Sequence, residues 1–554
     1  MIKTKSQLVV QSIKNILSKN NFLLLLAFLA VFSFRSWYGL RFSSFGQDMA
    51  RDLILTEQKI EQGQLLVGYG PKASVGNFYL APFYYQLELI LAYLTNNYVW
   101  TMKWVVIILE SITPLIVFKI LKLVVSKRAS LILATLYALA SLPTIFGTFA
   151  WNPNPIPFFT SLALWGWLDY LQTKQKWGLI LGPLSVAISI HLHYQAVVLT
   201  PFWLLVLGFL FFKERRDLKY FLIGIGLAGL TFLPYIYFEL QNNWHNTNSI
   251  LNYFQSEHSQ YYERVSKPAY VLTFLPAFFE RVIFGENSSY NWFGRLIFFV
   301  GSLSWLPVLL LEKKPKKTVW KWLALYFGLI LLMLRLYKGD KIDYYLSTLY
   351  LFPFILLAAI SRLGNKLNSL QIIFSCLVLI SFFWAGQTLA GKQPTHQLAN
   401  LKEMMNRLEN QLAAHGQTQA AFLFHNDDYI NTIAYGLTHF TNLEINQQSQ
   451  YLVEVYGRSQ LIGWDQLPRC RFSRDYTYAS LVKDQTDYIQ LYFDQADYYP
   501  QLLLGRLENP PKPVGYRLYQ SDLDYGSDLI YPELYYYNSP TAPSLLISRP
   551  TNHD

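Results

Sequence analysis

FYLAPFYYQLELILAYL, residues 78–94, decides how the chain is threaded. A helix needs roughly 17 to 25 mostly apolar residues to cross the hydrocarbon core of a bilayer, so this run competes for a place as a span. It also carries Pro82, Gln86 and Glu88. A charged side chain at mid-bilayer costs about 2.5–3.5 kcal/mol on insertion scales. The basic residues around it settle the matter. Counting the run as a span separates Lys119, Lys122, Lys127, Arg128, Lys213, Arg215, Arg216 and the KKPKK cluster at 313–317 from the basic N-terminus with Lys3, Lys5, Lys14 and Lys19. Leaving it out gathers every one of these clusters on a single side, as the positive-inside rule expects. We therefore read 78–94 as an interfacial helix on the non-cytoplasmic side.

Composition makes the membrane the solvent to reason in. Of 554 residues, 52% are hydrophobic, 17% aromatic and only 15% charged, at a mean hydropathy of +0.19. A soluble globule carries more charge than that. The net charge of +11 is explained by basic cytoplasmic connectors, which argues against nucleic acid as a partner. Two cysteines, Cys376 and Cys470, form neither a disulfide framework nor a metal-binding spacing. The first apolar run, 22–34, follows the four lysines without a small-residue cleavage site and is expected to be a retained span. Further candidates are 98–123, 129–148, 156–171, 177–190, 194–212, 218–238, 292–311, 319–336, 344–360 and 370–389. The expected fold is thus a polytopic α-helical membrane protein of about eleven spans.

This threading sends 39–97, 147–155, 191–193, 239–291, 337–343 and everything after 391 to the outside of the plasma membrane, with the N-terminus cytoplasmic. The inner face receives only short basic connectors, so function is expected outside, where loops are long. We divide the chain into a membrane domain, 1–390, and an extracytoplasmic soluble domain, 391–554. In the latter, THQLANLKEMMNRLENQLAAHG spaces Leu398, Leu401, Met405, Leu408 and Leu412 as one helical face and stops at Gly416. AAFLFHN and DYIQLYF look like strands, so a small α+β domain is expected.

Chemistry points to the first outer loop, FGQDMARDLILTEQKIEQG, residues 45–63. Asp48 and Asp52 stand four apart, hence on one helix face, with Arg51 beside them. A plain helix cap at Asp48 and a solvated face account for the same pattern. The residues alone leave both readings open.

FGQDMARD, followed by GPKASVGNFYLAPFYYQL at 70–87, resembles the first outer loop of the GT-C superfamily of membrane glycosyltransferases, in the bacterial branch of protein O-mannosyltransferase-like and aminoarabinose-transferase-like enzymes. WNPNPIPFF from Trp151, HLHYQ from His191, LPYIYFEL from Leu233 and KIDYYLSTLYLFP from Lys341 follow in the same order. The resemblance covers most of 20–390. It implies two juxtamembrane helices in the first outer loop and a polyprenyl-phosphate-linked sugar as donor. It also implies that Asp48 is the base that deprotonates an acceptor, whether glycan, lipid or protein. A carboxylate within about 2.6–3.2 Å of a hydroxyl takes its proton as the oxygen attacks the anomeric carbon. Attack opposite the leaving phosphate inverts that carbon, and no second nucleophilic carboxylate is required. Asp52 and Arg51 would support Asp48.

The leaving phosphate calls for cations. Lys338 and Lys341 are the preferred pair, with Arg335 and Lys72 behind them, and each is also explained by interfacial snorkelling. Trp151 and Tyr344 suit a sugar-stacking surface or an interfacial aromatic belt. His191 and His193, two apart, have poor metal spacing and are read either as hydrogen-bonded polar residues at a span end or, with Trp151 and Tyr344, as sugar contacts. Asn152 stands where some relatives carry an acidic residue, and Glu239 ends its span near donor or acceptor. With no DxD sequence within the membrane domain, 1–390, either, no cofactor is expected, and a divalent metal stays open. The rival readings are a transporter of lipid-linked sugars, for which no internal repeat is visible, and a non-catalytic glycan-binding protein.

Overall fold

The structure, a computed structural model, describes residues 19–42, 45–73, 78–96, 99–255, 267–285, 291–336, 343–365, 368–390, 397–424, 430–445, 449, 451–456, 485–491, 501–507, 516–517 and 535–536. The chain divides into two compact units: Met1–Ser43, Leu66–Leu91 and Trp100–Gln393 form one, and Ser44–Leu65, Ala92–Val99 and Pro394–Asp554 the other.

The first unit is helical. Its described residues hold six helices long and apolar enough to cross a membrane: Phe22–Phe42, Thr101–Lys122, Tyr194–Lys213, Trp292–Leu311, Lys316–Leu336 and Asn368–Ala390. The number rises to eight if two bent pairs each count as one span, Leu218–Thr231 with Leu233–Gln241 at 43° and Asp343–Leu349 with Phe352–Gly364 at 42°. A helix of 22 residues such as Thr101–Lys122 rises about 33 Å, enough for a core of about 30 Å. Leu23, Leu26, Leu303, Leu310, Ile372 and Leu379 are exposed on these helices. Lipid, not water, is the medium that such a surface suits, and the chain is a multi-pass membrane protein.

Three of the eleven expected spans fall on shorter, broken or less apolar helices. Ala140, with an extended ψ of 145°, splits 129–148 into Lys127–Leu139 and Ser141–Phe146. Ile156–Thr173 is diluted by Asp169 and Gln172, and Trp177–Leu192 has 16 residues, about 24 Å of rise. The Phe83–Thr95 helix within the deciding run has 13 residues, about 20 Å, short of the hydrocarbon thickness.

Packing inside this unit uses small residues and self-satisfied hydroxyls, as lipid-embedded helices do. A Cβ on Gly178 would lie 2.1 Å from the carbonyl oxygen of Gly166, so Ile156–Thr173 and Trp177–Leu192 meet backbone to backbone. Ser111, Thr160, Ser189 and Ser381 each donate to the carbonyl four residues back, at 2.6–2.9 Å. No water is needed to satisfy them.

The second unit combines the helices Gln47–Glu61, Gln397–Ala414 and Ile430–Phe440 with a mixed five-stranded sheet. The strands are β1 (Gln419–Phe424), β2 (Glu444–Ile445), β3 (Tyr451–Tyr456), β4 (Gln485–Leu491) and β5 (Gln501–Leu507), in the order β2-β1-β3-β5-β4. β1 runs parallel to β2 and β3, and β5 antiparallel to β3 and β4. The Ile430–Phe440 helix is the crossover that a parallel β1–β2 pair requires. Leu401, Met405, Leu408 and Leu412 are buried, and Gly416 ends their helix with φ +69°.

Candidate functional site

The carboxylates sit in the second unit. Gly46 precedes the Gln47–Glu61 helix in extended conformation and supplies no capping side chain. Asp48 is the acidic residue of the first turn, favourably placed against the helix dipole. Arg51 Nη1 donates to Asp48 Oδ1 at 2.8 Å, while its Nε and Nη2 donate to Asp52 Oδ1 at 2.9 and 2.7 Å. One guanidinium therefore ties both carboxylates. Their exposures differ: the Asp52 side chain is 1% accessible and that of Asp48 is 44%. Asp48 is open to its surroundings and Asp52 is not.

A second group forms in the first unit, where residues distant in sequence meet. Trp151 and Tyr344 have ring centroids 4.3 Å apart, and Phe146 and Phe149 lie 6.4 and 6.0 Å from Trp151. His193 lies 4.9 Å from Tyr345 and 6.1 Å from Tyr344. Gln195 Nε2 donates to the Tyr344 carbonyl at 2.7 Å, which fixes the start of the Asp343–Leu349 turn. Burial pushes the His193 imidazole down to about 4, so it is neutral at physiological pH and offers a hydrogen bond, not a charge.

The remaining sequence candidates take local duties. Asn152 is buried and donates to the Leu192 carbonyl at 2.6 Å, pinning the 147–155 loop to the end of the Trp177–Leu192 helix. His191 stacks on Phe232 at 3.9 Å and meets Thr231 Oγ1 at 2.9 Å, at the break of a bent pair. Glu239 is buried and accepts from the Thr247 amide at 3.0 Å, capping the next helix. Lys72 lies over Tyr79 at 6.0 Å and Arg335 over Tyr270 at 5.9 Å. Lys338 and Lys341 lie outside the described residues. Among the described residues no three His, Cys, Asp or Glu side chains gather as a metal site.

Residues 81–238 match the family described as dolichyl-phosphate-mannose-protein mannosyltransferase. The crystal structure of ArnT from Cupriavidus metallidurans bound to undecaprenyl phosphate is similar to this chain with a TM-score of 0.52, covering 90% of this chain and 100% of that one. The fold is GT-C. At 12% identity the likeness to ArnT speaks for the fold alone. An Archaeoglobus fulgidus oligosaccharyltransferase in complex with Zn and sulfate is also similar, at a TM-score of 0.46 and 13% identity over 78% of this chain and 67% of that one. No curated protein matches the chain in sequence.

Within this GT-C fold, three residues that stand in no sequence motif shape the aromatic group. Arg35 Nη1 donates to the Pro143 carbonyl, and Glu110 Oε1 accepts from the Phe158 amide at 3.1 Å. Both side chains are buried, and each acts on the other electrostatically. They grip the chain on either side of the 147–155 loop. Gly147 must be a glycine here, because a Cβ would lie 1.9 Å from Arg35 Nη1 and 2.5 Å from the Pro143 carbonyl oxygen. The signal that points to this pair is simply an arginine and a glutamate inside apolar spans. The third is Arg281, whose Nε bonds both carboxylate oxygens of Asp343 at 2.9 Å. It places a guanidinium at the edge of the Tyr344 turn.

Proposed function

We propose that this GT-C protein is an inverting glycosyltransferase that moves a hexosyl or pentosyl unit from a polyprenyl-phosphate-linked donor to a cell-envelope glycan, lipid or protein. It works on the outer face of the plasma membrane. The chain then crosses eleven times, with its N-terminus cytoplasmic and an α+β domain, 391–554, outside. The observation that carries the reading is Asp48: an open carboxylate, clamped by Arg51, on the first turn of a helix in a chain of this fold. The mannosyltransferase family matched by 81–238 and the undecaprenyl phosphate bound to ArnT support a lipid-phosphate donor.

In the reaction, Asp48 accepts the proton of the acceptor hydroxyl as its oxygen bonds to the anomeric carbon. The bond from that carbon to the phosphate oxygen breaks, and polyprenyl phosphate departs with both electrons. Asp52, buried, fixes Arg51 and through it Asp48. Lys338, Lys341, Lys72 and Arg335 are the donor-phosphate cations, Trp151 and Tyr344 the stacking surface, and His193 a neutral hydrogen-bonding partner for a sugar hydroxyl. Asn152 and Glu239 are supporting residues on the acceptor side, and His191 is a further sugar contact.

A second reading, transport of lipid-linked sugar, draws on the two bent helix pairs, since broken helices also serve transporters. Mass spectrometry of envelope glycans and lipids from a deletion strain, with intact cells first treated with a membrane-impermeant sugar-oxidising reagent to mark outer-leaflet donor, separates the two. Transfer is expected to remove one sugar from one acceptor, with its lipid-linked donor accumulating on the outer leaflet. A donor trapped on the inner leaflet would favour transport, and unchanged glycans would contradict the proposal.

A further inference from the structure

The reaction as written gives no task to the Ile430–Phe440 helix. What this helix holds is the Asp48 helix. Residues 44–65 fall in the same compact unit as 394–554, and the two stretches meet through it at two points. Phe45, buried, packs on Tyr435 with ring centroids 5.0 Å apart. Further along, His439 Nε2 meets Glu57 Oε1 at 3.1 Å. Tyr435 and His439 are one helical turn apart and stack on each other at 4.0 Å. Phe45 and Glu57 bracket Asp48, one before it and one after.

The grip matters because the head of the Asp48 helix has little of its own to hold it. Gly46 offers no capping side chain, so the first turn depends on its flanking residue for direction. An apolar residue just before a helix that packs on a partner sets the entry angle of the chain, and Phe45 finds that partner in Tyr435. The gripping helix is itself firmly backed. A Cβ on Gly436 would lie 2.9 Å from Met405 and 3.0 Å from Leu401, so Ile430–Phe440 rests directly on the Gln397–Ala414 helix. Leu401, Met404, Met405 and Leu408 behind it are buried. A general base has to be held to within about 0.5 Å of its working position by packed neighbours.

We propose that the Ile430–Phe440 helix is the positioning element for Asp48, with Tyr435 and His439 as positioning residues that act through Phe45 and Glu57. The inference rests on the reading of Asp48 as acceptor base. It gives the C-terminal stretch, 394–554, a part in the reaction that runs through the Asp48 helix.

The test uses full-length protein in lipid nanodiscs and two independent measurements. Hydrogen exchange of residues 47–61 reads the grip, and initial rates with synthetic undecaprenyl-phosphate-linked hexose, with envelope extract as acceptor, read its consequence. Tyr435→Ala is expected to raise exchange in 47–61 at least tenfold and to lower kcat at least tenfold, with donor KM moving less than twofold. Tyr435→Phe, which keeps the ring, is expected to restore both. His439→Gln is expected to produce the same pattern at a few-fold, in a variant that keeps the Phe45–Tyr435 ring pair. Unchanged exchange in 47–61 in both Tyr435→Ala and His439→Gln would overturn the proposal. So would raised exchange with intact kcat, or a loss carried by donor KM. A wild-type protein that transfers no sugar while exchange responds as expected would overturn the transferase reading and leave the grip on the helix standing.

Discussion

The carboxylate pair and the aromatic group are built in opposite ways. Asp48, Arg51 and Asp52 lie within five residues on one helix, and a single guanidinium joins them at 2.7–2.9 Å. Trp151, His193 and Tyr344 come from segments up to 193 residues apart and meet because three separate backbones are pinned. Asn152 bonds the Leu192 carbonyl, Gln195 bonds the Tyr344 carbonyl, and Arg35 with Glu110 grips the flanks of the 147–155 loop. The first group is local chemistry on a supported helix. The second is tertiary geometry, and it should fail through the residues that hold it as readily as through the rings themselves.

The largest effect separates the two at once. Removing a general base usually costs 10²–10⁴-fold, so Asp48→Asn is expected to lower kcat by about that factor with little change in donor KM, measured as initial transfer rates in membranes. Gly147→Ala should strike the aromatic group without touching a ring. Overpacking of this kind costs about 1–3 kcal/mol, so the folded yield and thermal midpoint should fall while Ala substitution at Gly46, which has open space around it, leaves both nearly unchanged. Trp151→Ala removes one half of the Trp151–Tyr344 ring pair, with coupling worth about 0.5–1.5 kcal/mol. Its expected signature is a donor KM raised several-fold and a kcat within threefold of wild type.

The smallest effect concerns pH. Burial opposes charge on His439, but the hydrogen bond and charge of Glu57, with the Tyr435 carbonyl, outweigh it and hold the imidazole above its ordinary 6.5. From the Gln397–Ala414 side, Lys402 lies over Phe440 and Glu409 accepts from the Asn442 amide. A pKa raised by docking means that the contact is fully supported below about pH 6.5 and loses that support as pH rises through the raised value. The difference in hydrogen exchange of 47–61 between wild type and His439→Gln should therefore be largest near pH 6 and shrink toward pH 9.

How much of this was legible in the sequence follows the same division. The i, i+3 and i, i+4 spacing of DMARD is a helix pattern, and the structure places those residues on one helix, where Arg51–Asp48 is an i, i+3 pair and the bond of Arg51 to its neighbour Asp52 is one the spacing does not imply. Run length and basic clusters sufficed to mark the long spans. They did less well where Ala140 breaks a run or where Trp177–Leu192 stops short, because hydropathy sums over a window and is blind to a single extended residue. Trp151, Tyr344 and His193 were legible as suitable residue types, but their meeting depends on backbone contacts across the unit. The local contacts of His191 and Glu239 were not legible: one stacks on Phe232, and one oxygen of the other accepts from the Thr247 amide. The grip of Tyr435 on Phe45 joins positions 390 apart, beyond any periodicity.

The central claim is that one open carboxylate does the proton chemistry. The most direct measurement is the donor dependence of Asp48→Asn beside Trp151→Ala in one membrane assay, with equal amounts of protein. The account expects Trp151→Ala to regain near-wild-type rate at saturating donor and Asp48→Asn to stay at least a hundredfold low at every donor concentration. An Asp48→Asn variant that recovers full rate with donor would contradict it.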